Sequence, residues 1–264
     1  MRTEVVRRVG IGPRHGSSWP VPVETDGGRL LAKLRGTGHG TAALVAEVIV
    51  AELAGALGLR VPARTLLQLP EGVPSDDPDQ ELRDLLRKSA GLNLGFALVE
   101  GARDFRPEDA ERVSRDEAST VVWLDWLVMN PDRTTHNPNL MVRGRELWLV
   151  DHGAALVFHN NWKSVTEDAP RRPGPPLRHH VLATRATRLG EWDPVLTAAL
   201  PRERLRAAVA AVPDDFLLPL LPRPGGAAAL HRRREAYVAF LWKRLRGPRP
   251  FQAPGSEQLA AVEE

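Results

Sequence analysis

The stretch from Trp123 to His159, WLDWLVMNPDRTTHNPNLMVRGRELWLVDHGAALVFH, leaves this chain few ways to fold. The apolar run from Val121 to Met129 predicts a buried helix. That helix must stop at Asn130-Pro131, because proline cannot continue it and drives the residue before it toward extended geometry. A polar loop carrying Asp132, Arg133, His136, Asn137 and Asn139 follows. Leu140-Met141-Val142 and Leu147 to Val150 then read as a hairpin about the glycine turn Arg143-Gly144-Arg145-Glu146. The second strand runs into Asp151-His152-Gly153.

A tight hairpin returns the residue after its second strand to the residue before its first. Asn139 and Asp151 are therefore expected side by side, able to share one cation. Gly153 removes a Cβ where the backbone turns away. This order of groups is what phosphoryl transfer asks for. One carboxylate, Asp132, accepts or orients the proton of a nucleophilic hydroxyl. An amide oxygen and a second carboxylate, from Asn139 and Asp151, hold the magnesium that neutralises a triphosphate.

Upstream, residues 1–30 read as strands and turns, with Trp19 to Val23 alternating before the Asp26-Gly27-Gly28 turn. Arg29 to Leu34 is a strand that carries Lys33 among apolar neighbours. Thr41 to Leu57 has an apolar stripe at helical spacing, interrupted by Glu47 and Glu52 and stopped by Gly58. Thr65 to Leu69 is a further strand. A strand lysine followed by a helix glutamate matches the ion pair that positions nucleotide phosphates in kinases.

The loop resembles the catalytic loop of the protein-kinase-like superfamily, in its HipA-like and phosphatidylinositol-kinase-like branch. That branch shows Asp-Arg-His-x-x-Asn, apolar residues, then Asp-x-Gly. Here Thr134 stands where the branch has histidine, and the loop is longer. Two asparagines then compete for the metal: Asn137 has the usual offset from Asp132, Asn139 the usual offset from the hairpin and Asp151. Asn139 is preferred because Leu140-Met141-Val142 follows it directly. HipA-like sequences also show a helix glutamate, then Leu-Ala, then Leu-Gly-x-x-Val-Pro. Glu47, Leu53-Ala54 and Leu57-Gly58-Leu59-Arg60-Val61-Pro62 satisfy that order, which pairs Glu47 rather than Glu52 with Lys33.

The resemblance implies a two-lobed α+β fold. Residues 1–98 would form an N-lobe of sheet plus one helix, residues 99–246 a helical C-lobe with the catalytic hairpin, and residues 247–264 a mobile tail. ATP and magnesium would lie between the lobes, with Lys33 and Glu47 on the α- and β-phosphates and Asp132 at the acceptor hydroxyl. Arg133 would neutralise charge near the loop or steady Asp132. The main chain of Leu98, Val99 and Glu100, ending the predicted strand Leu92 to Glu100, would meet the adenine. Gly36 to Gly40 follows the lysine strand instead of preceding it, so the phosphate loop is placed by position at Gly10 to Ser18, with Ser17 and Ser18. Gly36 to Gly40 then reads as a flexible link that lets the helix swing. The acceptor bears a hydroxyl, on a protein as in HipA-like serine/threonine kinases or on a small molecule. A nucleotide-binding pseudokinase that serves as an interaction module is a third reading.

Composition narrows the rest. A chain of 264 residues, 42% hydrophobic and 26% charged, can bury a substantial core. The absence of cysteine excludes disulfide scaffolds and thiolate metal sites. MRTEVVRRVG lacks the apolar stretch of a secretory signal, no apolar run is long enough to span a membrane, and the expected location is cytoplasmic. The net charge of +3 and arginines scattered outside Arg171-Arg172 and Arg232-Arg233-Arg234 do not suggest a nucleic acid as direct ligand. His152 and His159 lack a third ligand at metal-binding spacing. Helices are expected over Gln80–Lys88, Pro107–Arg112, Glu117–Met129, Leu182–Leu189, Pro194–Leu200, Arg202–Val212 and Gly226–Arg246, with a substrate-facing loop at Ala169–Pro176.

Overall fold

In a computed structural model, which describes residues 1–12, 19–223 and 225–251, the strands of the N-terminal region pair into one six-stranded sheet. β1 (Thr3–Val5), β2 (Arg8–Val9), β3 (Val21–Thr25), β4 (Gly28–Lys33), β5 (Arg64–Leu69) and β6 (Gly91–Ala97) lie in the order β1-β5-β6-β4-β3-β2. All neighbours are antiparallel except β1 and β5, which run parallel. Alternation sends Val21, Val23, Leu30 and Ala32 to one face, where Leu82, Leu85 and Leu86 of a short helix cover them. That helix spans Gln80–Lys88, as its sequence predicts, and starts where the Asp79 carboxylate accepts from the backbone N–H groups of Glu81 (2.6 Å) and Leu82 (3.3 Å).

The long helix α1 (Gly40–Ala56) is buried almost all round. Its residues Leu44, Val45, Val48, Ile49 and Leu53 belong to the main core, which continues into the helices of the C-terminal half. The short helix over Gln80–Lys88 is α2. α3 (Arg115–Leu127) is capped by Ser114, whose hydroxyl accepts from the Glu117 N–H at 3.1 Å. It follows a 3-10 turn at Pro107–Arg112 and stops before Asn130-Pro131, as expected. A second sheet of three strands, β7 (Arg103–Asp104), β8 (Leu140–Arg143) and β9 (Glu146–Leu149), contains the predicted hairpin. Gly144 turns it at φ +60°. α4 (Leu189–Ala199), α5 (Arg202–Ala210), α6 (Asp214–Leu217) and α7 (Ala227–Leu245) complete the helical half. Among the described residues, no helix is long and apolar enough to cross a membrane.

The two-lobed α+β layout is present, and four details differ from expectation. Gly36 to Gly40 is no swinging link. The Gly36 N–H donates to Ser89 Oγ (3.1 Å), the Gly40 N–H to the Thr37 carbonyl (2.8 Å), and α1 itself packs against α5 and α6. Leu182 to Arg188 forms turns rather than a helix, and Leu189 opens α4. Arg185 Nε reaches the Val113 carbonyl (2.7 Å) and the Arg188 N–H reaches Ser119 Oγ (3.1 Å), so bonds to the α3 region replace a helical ladder. The strand expected to end at Glu100 ends at Ala97. Finally, Phe251, in the expected mobile tail, is buried edge-on against Trp126 with ring centroids 5.1 Å apart.

Candidate active site

Lys33 closes β4 on the inward side of the pleat and is only 9% exposed. Its ammonium meets Glu47 Oε1 of α1 and, at 2.6 Å, Asp151 Oδ1 beyond β9. Glu47 Oε1 also accepts the His152 N–H at 2.8 Å. Sheet, helix and hairpin therefore converge on one side chain. Burial pulls the Lys33 ammonium toward deprotonation, but Glu47 and Asp151 outweigh it and raise its pKa. Burial pushes the Glu47 carboxyl up against the pull of Lys33. Glu52, the alternative partner, points elsewhere and binds Arg64 at 3.0 Å.

The glycine of Asp151-His152-Gly153 works differently from the expectation. The left-handed residue is Asp151 itself, at φ +52°. A Cβ on Gly153 would meet Ala43 Cβ at 3.2 Å and lie 3.6 Å from both Asp151 Oδ1 and Glu47 Oε1. Its missing side chain lets α1 press against the acidic turn.

In the loop, Asp132 Oδ2 accepts from the side-chain amides of Asn137 (2.9 Å) and Asn139 (3.1 Å), and the Asp132 N–H donates to Asn130 Oδ1 (3.1 Å). Asn139 stands at φ +48° immediately before β8, and its carbonyl accepts the Val150 N–H at 3.1 Å. The hairpin thus sets Asn139 beside the residue that precedes Asp151. Asn137 is exposed, further out along the loop.

Arg133 neutralises a charge near the loop, that of Asp125, and does not pair with Asp132. Its guanidinium is buried and turns inward, binding Asp125 Oδ2 at 2.6 Å, the carbonyls of Asn139 and Val150, and His152 Nδ1 at 3.1 Å. It braces the two strand ends that carry Asn139 and Asp151 and makes no such bond to the Asp132 carboxylate. Asp125 is the hub that sequence reasoning missed. It accepts from Asn130 Nδ2 (2.9 Å) and also faces His180 Nε2 (2.9 Å). Burial works to raise the Asp125 pKa, yet Arg133 and His180 hold it well below the usual carboxylate range. Burial, helped by Arg133, lowers the His152 pKa to about 3, so its imidazole is neutral. A lone acid between Leu124 and Trp126 was the available signal for Asp125, whereas nothing local marks His180.

Leu98 is 54% exposed just past β6, and the Val99 carbonyl accepts the Ala102 N–H at 3.0 Å. Ser17 and Ser18 lie outside the described residues. Among the described residues no cluster of three His, Asp or Glu side chains could cage a metal. Magnesium does not demand such a cage, because it keeps waters and shares phosphate oxygens. The second oxygen of Glu47, Oε2, is buried without a hydrogen-bond partner beside the Lys33 pair.

The sequence profile of the family described as HipA-like kinase matches residues 5–169. That segment is more than half of the chain and spans Lys33, Glu47, the Asp132 loop and Asp151. Among solved structures, the crystal structure of a Helicobacter pylori proinflammatory kinase, CtkA, is similar at a TM-score of 0.48 and 10% identity, over 89% of this chain and 94% of that one. No curated protein matches the chain. With its paired lysine and glutamate, its Asp-Arg loop and its Asp-x-Gly turn all inside the matched region, this chain belongs to the HipA-like kinase family.

Proposed function

We propose that the chain is an ATP- and magnesium-dependent phosphotransferase that acts on a hydroxyl, in the manner of HipA-like serine/threonine protein kinases. The observation that carries this reading is Lys33, held between Glu47 and Asp151 by parts drawn from a strand, a helix and a hairpin. Lys33 would hold the α- and β-phosphates, and Asn139 with Asp151 would hold magnesium. Magnesium neutralises charge on the triphosphate when bound. Asp132, kept in place by two amide donors, orients the acceptor hydroxyl and takes its proton. Arg133, Asp125 and His180 keep the loop and the hairpin in register. Little covalent chemistry is asked of the side chains, so positioning and electrostatics do the work.

Asp132→Asn is expected to lower transfer from labelled ATP by about 100- to 10,000-fold while calorimetric binding of Mg-ATP stays near the parent value. Asp151→Asn should weaken Mg-ATP binding itself. Transfer surviving in Asp132→Asn overturns the assignment, and absence of transfer and hydrolysis in the parent chain, with binding intact, makes it a pseudokinase.

A further inference from the structure

A pocket of about 440 Å³ opens where residues 171–178, after the catalytic hairpin, meet the end of α7. Arg171, Arg172, Arg178, Arg244 and Arg249 line it with Trp126, and no carboxylate is among its described lining residues. Some of this charge is matched nearby. Arg171 pairs with Asp168 at 3.3 Å where both are exposed, Arg249 pairs with Asp193, and Arg172 donates to Thr166 Oγ1 at 3.3 Å.

Arg244 is different. It is 2% exposed, lies over the Trp126 ring at 4.6 Å, and donates only to carbonyls: Trp126 (3.0 and 3.1 Å), Pro170 (3.2 Å) and Arg172 (3.0 Å). Among the described residues no carboxylate pairs with it, and burial alone pulls its pKa down to about 10. Gly174 closes over it: a Cβ there would stand 2.6 Å from Arg244 Nη2. A buried cation matched only by carbonyls therefore lies beneath the floor, under Gly174, and exposed arginines form the rim. The buried charge favours an anion above it at a distance, and the exposed rim supplies the planar guanidinium forks that match phosphate oxygens.

The pocket shares Trp126, Pro175, Pro176 and Leu177 with a smaller one lined by Asn130, Pro131, Arg133 and Thr134 of the Asp132 loop. Just beyond the pocket, His180 ties the same segment to Asp125. An occupant would lie beside the segment that packs against the Asp132 loop.

We propose that this pocket binds a phosphate monoester carried on the acceptor polypeptide, so that a chain phosphorylated at one residue is presented to Asp132 at another. A monoester brings close to two negative charges and three acceptor oxygens to a cluster of guanidinium groups. The volume exceeds what one phosphate fills, which gives room for the flanking residues of an extended chain. The acceptor role rests on the phosphotransferase reading; the binding does not.

Fluorescence anisotropy tests it with labelled peptides of degenerate sequence around a fixed phosphoserine or a fixed serine, a labelled single-stranded oligonucleotide, and inorganic phosphate as competitor. The phosphoserine pool should bind about tenfold tighter or better than the serine pool. The exposed triple variant R171Q/R172Q/R178Q, and R178E alone as a milder check, should lose that preference while Mg-ATP binding is unchanged. In transfer assays the triple variant should raise KM for the phosphoserine pool and leave kcat alone. Equal binding of the two pools, or a preference surviving in the triple variant, overturns the proposal. So does an oligonucleotide that binds as tightly, or inorganic phosphate that binds as tightly as the phosphoserine pool, since either assigns the pocket to another anion. A parent chain that prefers phosphoserine but does not bind Mg-ATP overturns the catalytic reading and the acceptor role while the ligand stands.

Discussion

Lys33 is the residue on which the site turns, and its energetics can be separated from its chemistry. Removing one member of a buried pair strands the other, at about 3 kcal/mol or more. Lys33→Met should therefore lower the unfolding free energy by about that amount, because Glu47 is fully buried with its second oxygen already unpartnered. Adding Glu47→Leu should recover part of the loss. Denaturant midpoints check this, and strictly additive losses would count against a coupled pair. His159 sets a pH dependence away from the site. Burial, then Arg233 and His39, lower its pKa to about 4 from 6.5, and its Nδ1 meets the Tyr237 hydroxyl at 3.0 Å. The unfolded chain takes up a proton there before the folded one does. Stability should fall as pH drops from about 6.5 to about 4, and His159→Gln should make that fall shallower in melting curves. Of the residues that matter, Asp132 was legible after Pro131 and Asp151 before Gly153, Lys33 as a lysine in an apolar strand and Glu47 as an acid in the apolar helix that follows it. Asp125 and His180 were not, since their partners are supplied only when distant segments meet.

At the scale of elements, the acidic turn and α1 are fitted to each other through a missing side chain. Gly153→Ala brings a Cβ to 3.2 Å of Ala43 Cβ, a contact that overpacks the interface by about 1 kcal/mol or more and shifts Asp151 relative to Lys33. Transfer and melting temperature should both fall, and Ala43→Gly in the same chain should restore them in part. A Gly153→Ala variant with parent activity would show that the turn relaxes freely. The hairpin β8–β9 was readable because two short apolar runs flank a glycine turn. The turns over 182–188 were not: Leu182, Ala186 and Leu189 are all buried, so burial imitated helical periodicity while bonds to Val113 and Ser119 shaped the backbone.

For the whole molecule, Mg-ATP should act as a clamp across both halves. At a free concentration near one hundred times Kd, binding adds about 2.7 kcal/mol. For a chain of 264 residues that raises the melting temperature by roughly 5 to 10 °C. The rise should shrink when magnesium is chelated, and scanning fluorimetry reads both. The two-lobed layout could be seen in the chain, but not which half α1 serves. Its apolar residues cover more than a stripe, which signals a helix enclosed on every side rather than one resting on a sheet.

That enclosure has a consequence for control. α1 packs against α5 and α6, so any tilt that pulled Glu47 off Lys33 would have to break that packing as well. On the phosphotransferase reading, the Lys33–Glu47 pair would then be in place once the chain folds. On that reading, restraint is expected from outside the pair, through what covers the cleft or through how scarce the acceptor is.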